Sequence, residues 1–412
     1  MLEARDREAL RRLGAQLHDI AQLPQQKETI ELWKSLNDLH MQRPLLTIDQ
    51  EPWHEMNFDG SLTLEVQDQF WRAIEKGMRQ TIFKWKYYPA DMVVEDCVRI
   101  PKAIEDTGFG LEIDEKTAVT DEKNDVVGHA YIPTITCDAD IDRIQNAVVT
   151  HHCALSKERM DQAHEIFDGI IPVKASGVVP RFDMWDQLVE RMGVTQTLYN
   201  LVDEPEFIHH VCARWLAVSL DQLDQYERLN LLDATLPTCH CTYTYNRTLE
   251  SALPAPDHVS PSSCWTNGMA QIFANVGPRM HETFELMYAR HFYERFGYVN
   301  YGCCEPLHDK IDMILRYIPN ARKISISPWA KVDVAAAHIG RRAVLCRKPN
   351  PTYLSAAGSC WEESERELRE TLAAAKRNHC AVEFVLKDLS SLGYQPQRLF
   401  EWEKRAMAIM MA

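Results

Sequence analysis

The feature that most limits what this chain can fold into is a regular alternation of short apolar runs with amphipathic helical stretches. Strand-like runs fall near residues 45, 93, 172, 235, 300, 325, 345 and 384. Helical periodicity separates them, as with Phe70, Ile74 and Met78 on one face of residues 64–86, or Val211, Trp215 and Leu223 after the capped start at Asp203-Glu204-Pro205-Glu206. Alternation of this kind predicts parallel strands, and eight of them predict a closed (β/α)8 TIM barrel. The competing arrangement is a doubly wound open sheet. No Gly-x-Gly-x-x-Gly follows an early strand here, which weighs against it.

The frame leaves two stretches over. Residues 1–42 are charged and helical in pattern with no strand signal, so they are expected to form an N-terminal helical extension to a barrel over 43–412. Residues 100–140 carry Gly108-Phe109-Gly110, scattered charge and a few apolar residues, and are expected to be an insertion after the second strand, built of small strands. Residues 251–265, rich in Pro and Ser, form a loop of the length that usually carries function.

Charge and composition then exclude whole classes. The formal charge is −15 and no basic stripe occurs, so nucleic acid is not the expected partner. No apolar run reaches the roughly 18 residues of a membrane span, and the N-terminus lacks a signal-peptide core, so a cytoplasmic location is expected. Twelve cysteines in 412 residues do not make a disulfide scaffold. Three clusters stand out: His151-His152-Cys153, Cys239-His240-Cys241 and Cys303-Cys304. The first falls in a helical stretch, where neighbouring side chains diverge, and is expected to be structural.

The third cluster ends the most informative stretch, Tyr298-Val299-Asn300-Tyr301-Gly302-Cys303-Cys304-Glu305-Pro306-Leu307-His308. A helix from Met280 leads into it and is expected to stop with Gly297 just beyond its last turn. Pro306 ends the strand. Two thiols and a carboxylate at the C-terminal end of a parallel strand lie where barrel side chains converge on one pocket. Alternation predicts Cys303 and Glu305 on one face and Cys304 on the other.

Gly302-Cys303-Cys304-Glu305-Pro306-Leu307, Arg322-Lys323-Ile324-Ser325-Ile326-Ser327-Pro328-Trp329, Lys348-Pro349-Asn350-Pro351 and Leu386-Lys387-Asp388 together resemble the uroporphyrinogen decarboxylase-like superfamily, and within it the corrinoid-dependent, O-demethylating methyltransferases. The resemblance is strongest from about Trp265 onward. It implies a barrel that moves a methyl group from a small methylated, methoxylated-aromatic substrate to the cobalt of a separate corrinoid protein. It also implies a zinc ion that activates the leaving oxygen. No Asp-x-His-x-x-Gly corrinoid module occurs in the chain, so the corrinoid carrier is expected to be a partner protein. Homodimers are common among such barrels.

Two departures qualify the match. The first strand ends in Asp49-Gln50-Glu51-Pro52-Trp53, not in the basic segment with which decarboxylases of the superfamily hold substrate carboxylates. Cys303-x-Glu305 stands where the zinc methyltransferases carry His-x-Cys, and Lys387-Asp388 stands where they carry a later Cys. The expected metal site is therefore either altered, with Cys303, Cys304 and Glu305 as ligands and Cys346 a more remote candidate, or absent, with a carboxylic acid of raised pKa activating the leaving oxygen in its place. Glu51, Glu305 and His240 are the expected acids or bases, and Trp53, Trp265, Tyr301 and Trp329 the expected substrate-binding aromatics, with His54 beside them. His308 is expected to be a satisfied polar residue. The alternatives are a decarboxylase or lyase acting on a small acid, and a barrel that binds without catalysis.

Overall fold

The computed structural model describes residues 2–119, 121–124, 126–251, 258–355 and 360–412. Fourteen strands appear among them. In chain order they are β1 (Leu45–Ile48), β2 (Val98–Pro101), β3 (Ile104–Asp106), β4 (Asp114–Ala118), β5 (Gly128–Ile132), β6 (Val149–His151), β7 (Val173–Ser176), β8 (Thr238–Cys239) and β9 (Thr242–Tyr243). β10 (Trp265–Gly268), β11 (Tyr298–Tyr301), β12 (Ala321–Ile326), β13 (Val344–Arg347) and β14 (Ala381–Leu386) complete the set.

Six of these form one parallel sheet in the order β1-β14-β13-β12-β11-β10. Their residues are buried on both faces, as expected where helices cover a parallel sheet. The sheet is extended by single bridges, Phe182 to Gly268 and Val178 to Leu232, and β7 pairs in parallel with β2. Among the described residues these ladders do not draw a continuous eight-stranded ring. The molecule is mixed α/β with a six-stranded parallel sheet and helices packed around it.

Three stretches differ from the sequence expectation. Residues 91–95 form no ladder; Asp91 instead ties itself to β1 through its side chain, which accepts from the Leu46 N–H at 2.8 Å and pairs with Arg43 at 2.5 Å. The strand there is β2, slightly downstream. Residues 231–235 contribute only the Leu232 bridge. Trp265–Gly268, expected to end a loop, is a full member of the sheet. Gly297 lies four residues past the helix Met287–Tyr293 and has no left-handed φ; what requires glycine is close approach, since a Cβ would sit 2.5 Å from the Ser262 carbonyl oxygen.

The β8–β9 hairpin packs on one face of the sheet. Asn267 on β10 meets Cys239 Sγ, Asn300 on β11 donates to the Cys239 carbonyl, and Thr47 on β1 donates to the Cys241 carbonyl at 3.0 Å. Deeper in, Lys323 on β12 and Glu383 on β14 form a fully buried ion pair at 2.8 Å that also engages Thr242 and the Tyr243 carbonyl. Trp33 and Trp265 flank the Lys323 ammonium at 5.4 and 5.6 Å. The N-terminal helices close in from the same side: Trp33 Nε1 donates to the Asp91 carbonyl, and Asn37 to those of Tyr243 and Tyr245. The 100–140 region holds β3, β4 and β5; the β4–β5 hairpin is mostly exposed and reaches back to the C-terminal end of β14, where Asn124 donates to the Ser390 carbonyl.

Candidate active site

The hairpin's turn delivers His240 and Cys241 to the C-terminal end of the sheet. Thr238 pairs with Tyr243 and Cys239 with Thr242, which leaves a two-residue loop. Both loop residues have positive φ, 47° and 67°, as the tight mirror-image hairpin turn requires and as His and Cys adopt only at a cost. Gln50 and Asp388, at the ends of β1 and β14, also have positive φ. Strained backbone thus gathers around one spot, as it does at functional sites.

β11 stops at Tyr301 because Gly302 turns away at φ 96°. A Cβ there would meet the Ser325 carbonyl oxygen at 2.4 Å and Leu307 at 2.6 Å, so only glycine brings Cys303 this close to β12. The strand alternation expected for residues 303–305 therefore does not apply. Glu305 folds back instead: one carboxylate oxygen accepts from the Cys303 N–H at 2.7 Å and the other from the Ala270 N–H at 2.8 Å. The carboxyl is fully buried, and burial together with the nearby Cys303 thiolate pushes its pKa up to about 7. With both oxygens spent on backbone, Glu305 positions Cys303 and does not face the pocket as an acid.

Cys303 Sγ lies 3.4 Å from Cys304 Sγ and 3.3 Å from Lys387 Nζ. Lys387 in turn reaches Asp388 at 2.9 Å, and Asp388 accepts from the Cys304 thiol at 3.5 Å. The Cys304 hydrogen bond, then His240 and Lys387, hold the Cys303 thiol well below its ordinary range against the opposing effect of burial. Cys304 is pushed the other way by its thiolate neighbour. Burial draws Lys387 down, but the Cys303 thiolate and Asp388 outweigh it and keep the ammonium charged. A second buried lysine, Lys348, donates to Ser325 Oγ at 2.7 Å and Cys346 Sγ at 3.3 Å. Burial opposes its charge, yet Cys346, Cys303 and Cys241 together raise its pKa. The Nε2 of His240 is buried with no hydrogen-bond partner of good geometry, and the ring's one polar neighbour in the cluster is the Cys303 sulfur that it helps to acidify.

Asp388 also lines a cavity of about 460 Å³, walled further by Glu51, Trp53, His54, Lys76 and Asn124. A larger cavity, about 640 Å³, lies between residues 107–112 and 178–183 and the helix Pro205–Arg228, and no residue of this cluster lines it. We place the chemistry beside the smaller one, because Asp388 belongs both to its wall and to the Cys303–Cys304–Lys387 cluster.

The expected site residues are only partly brought together. Glu51 lines the cavity, buried against Lys84 at 2.7 Å; burial raises its pKa, with Lys84 opposing. Trp53 lines it too. Trp265 packs on Tyr298 and over Lys323, at the floor of the sheet. Tyr301 is wholly buried with its hydroxyl on His281 at 2.7 Å, and Trp329 is 70% exposed on the surface. These three do not line the cavity. His152 is an exposed partner of Glu105, and the helix behind it begins only at Cys153. The Nδ1 of His308 is buried without a partner, so its polar needs are not fully met. Two acids, Asp186 half-buried and Glu285 fully buried, gave no sequence signal. Asp186 holds Gln271 and is raised to about 6 by burial; Glu285 sits in the π-helical turn Glu282–Leu286 with neither oxygen partnered, and burial holds it protonated well above its usual range.

A zinc ion does not fit these side chains. Among the described residues no three His, Cys, Asp or Glu side chains gather as a metal site. Glu305 is committed to two N–H groups, and the charge beside the Cys303 sulfur is the Lys387 ammonium.

No protein-family model and no curated protein sequence matches the chain. A search of solved structures finds a methyltransferase from Methanosarcina mazei, 10% identical, with a TM-score of 0.50 over 92% of this chain and 98% of that one. The likeness spans both chains almost end to end, so the two share an overall fold. Among the described residues no helix is long and apolar enough to cross a membrane.

Proposed function

We propose that this chain is the methyltransferase component of a corrinoid-dependent demethylation system, moving a methyl group from a small methylated substrate, of the methoxylated-aromatic class, to the cobalt of a separate corrinoid protein. The same reading takes the six-stranded sheet, extended through residues 173–182 and β2, as a (β/α)8 barrel. The observation that carries it is the Lys387–Cys303 pair beside the unpartnered His240 nitrogen, at the strand ends of a fold shared with a methyltransferase.

Demethylation leaves an oxyanion that departs poorly unless its charge is taken up. A corrinoid docked by its carrier would supply the nucleophile for the methyl group. The remaining work falls to this chain's residues. Lys387, kept cationic by Cys303 and Asp388, is a fixed positive charge for the leaving oxygen. His240 Nε2 needs a hydrogen-bond partner and can hand that oxygen a proton. Trp53 and the wall around it exclude water from the methyl group.

One observation favours a second reading. Lys348 and Lys387 both act on Cys303 from buried positions, and two buried ammoniums suit a substrate carboxylate, as a decarboxylase or lyase would need. A single experiment separates them. Incubating the protein with a methoxylated aromatic acid and a reduced corrinoid protein should convert Co(I) to methyl-Co(III) and leave the carboxylate in place. Carbon dioxide release without methyl transfer would establish the second reading, and neither product would leave a barrel that only binds.

A further inference from the structure

We propose that Cys303 and Cys304 form a peroxide-reactive dithiol at the mouth of the pocket, with Cys303 the sulfur that attacks and Cys304 the one that resolves. The inference goes beyond methyl transfer and stands or falls separately from it. Four geometric facts carry it. The two sulfurs are already 3.4 Å apart. Lys387 Nζ lies 3.3 Å from the Cys303 sulfur, a cation that favours thiolate and can protonate a departing oxygen. Asp388 Oδ2 accepts from the Cys304 thiol, so a base for the resolving sulfur is in place. Cys304 is exposed next to the cavity that Asp388 lines, which gives a small oxidant a way in.

The other cysteines lack this combination. Cys212, Cys264, Cys346 and Cys380 are buried, and burial raises each thiol toward the inert form. Cys137 and Cys153 are exposed, but the contacts of their sulfurs are the Asp140 carboxylate and the His151 ring, not a second thiol. A thiolate, a neighbouring cation and an adjacent resolving thiol are what peroxide-sensitive cysteines share.

The step balances as follows. The Cys303 thiolate attacks one oxygen of hydrogen peroxide, the O–O bond breaks, and the departing hydroxide takes a proton from Lys387 and leaves as water. Cys303 is now a sulfenic acid, oxidised by two electrons. Cys304 gives its proton to Asp388, its sulfur attacks Cys303, the S–O bond breaks, and the second hydroxide takes that proton back from Asp388. One peroxide and two thiols become one disulfide and two waters, and Lys387 regains its proton from solvent. Adjacent residues hold their Cα atoms about 3.8 Å apart, closer than in ordinary disulfides, so the product bond is strained and easily reduced.

The experiment is peptide mapping of the full-length protein after treatment with stoichiometric hydrogen peroxide, with remaining thiols alkylated under denaturing conditions. The expected result is a peptide spanning Cys303 and Cys304 that is lighter by two hydrogens, is restored by dithiothreitol, and forms before Cys137 is oxidised. In Cys304→Ser the intermediate should persist and be captured at Cys303 by dimedone. In Lys387→Met, with folding checked by circular dichroism, oxidation of Cys303 should slow by about tenfold or more, one unit of thiol acidity. The proposal is overturned if both thiols stay alkylatable in the wild type while Cys137 reacts, or if dimedone labels Cys304→Ser no faster at Cys303 than at Cys137.

Discussion

Glu305→Gln separates a buried acid that stays protonated near neutrality from one that is charged throughout. In the folded chain the carboxyl accepts two backbone N–H groups yet is wholly removed from water, and its pKa rises from the ordinary 4.5 to about 7. A folded-state pKa above the unfolded one means the folded chain holds the proton more tightly. This group's contribution to stability is therefore full below about pH 4.5 and is lost as pH rises through about 7. The difference of 2.5 units corresponds to about 3 kcal/mol at 1.36 kcal/mol per unit, most of it lost between about pH 5 and about pH 8. Glutamine cannot ionise, and it leaves one of the two N–H groups facing an NH2, a fixed cost of about 1–3 kcal/mol. Urea unfolding of both proteins across that pH range should show the stability difference moving toward the variant by about 2–3 kcal/mol as pH rises. Titrating groups that are not coupled to Glu305 cancel in the difference; Cys303, whose thiolate acts on Glu305, does not. A difference that stays flat with pH, or moves toward the wild type, would show that Glu305 is an ordinary ionised carboxylate and would refute the reasoning.

Three further outcomes follow from the same geometry. Gly302→Ala places a Cβ against the Ser325 carbonyl at a left-handed φ, so it should lower stability by at least about 1–2 kcal/mol in thermal unfolding and loosen Cys303, seen as slower alkylation by iodoacetamide at neutral pH. Lys323→Met strands the buried Glu383 and should cost about 3–5 kcal/mol in denaturant unfolding, much of it recovered in Lys323→Met/Glu383→Gln; equal losses in single and double variants would contradict the pairing. His240→Ala should reduce the turnover rate by about 100-fold or more with the fold intact by circular dichroism, and an unchanged rate would remove His240 from the chemistry.

How much of this was legible from sequence depended on local chemistry. β12, β13 and β14 announce themselves as continuous apolar runs, because both faces of a parallel sheet are buried. β10 does not: Asn267 and Gly268 are poor strand residues, and the strand forms because Asn267 faces the hairpin and Gly268 admits the Phe182 backbone. The β8–β9 turn carries His and Cys where a tight hairpin usually has Asn-Gly, so no turn signal marked it, although both thiols and the imidazole were visible as a cluster. Cys303 and Glu305 stood out by residue type. Their roles did not, because Gly302 breaks the strand before them and turns Glu305 onto the backbone. Lys387 and Asp388 stood out only as replacing a later Cys; their target, the Cys303 sulfur 84 residues away in the chain, is known only once the sheet brings β11 and β14 to one end.

The central claim is that Lys387, and no metal, takes up the charge of the leaving oxygen. The measurement that tests it most directly is the rate of methyl-Co(III) formation on a supplied corrinoid protein from a methoxylated aromatic, for protein stripped by chelator and verified metal-free, in wild type and Lys387→Met. Undiminished transfer by the stripped wild type, and a loss of about 100- to 1,000-fold in Lys387→Met, is the result the account predicts. Activity that disappears on stripping and returns with zinc, or that survives in Lys387→Met, would contradict it.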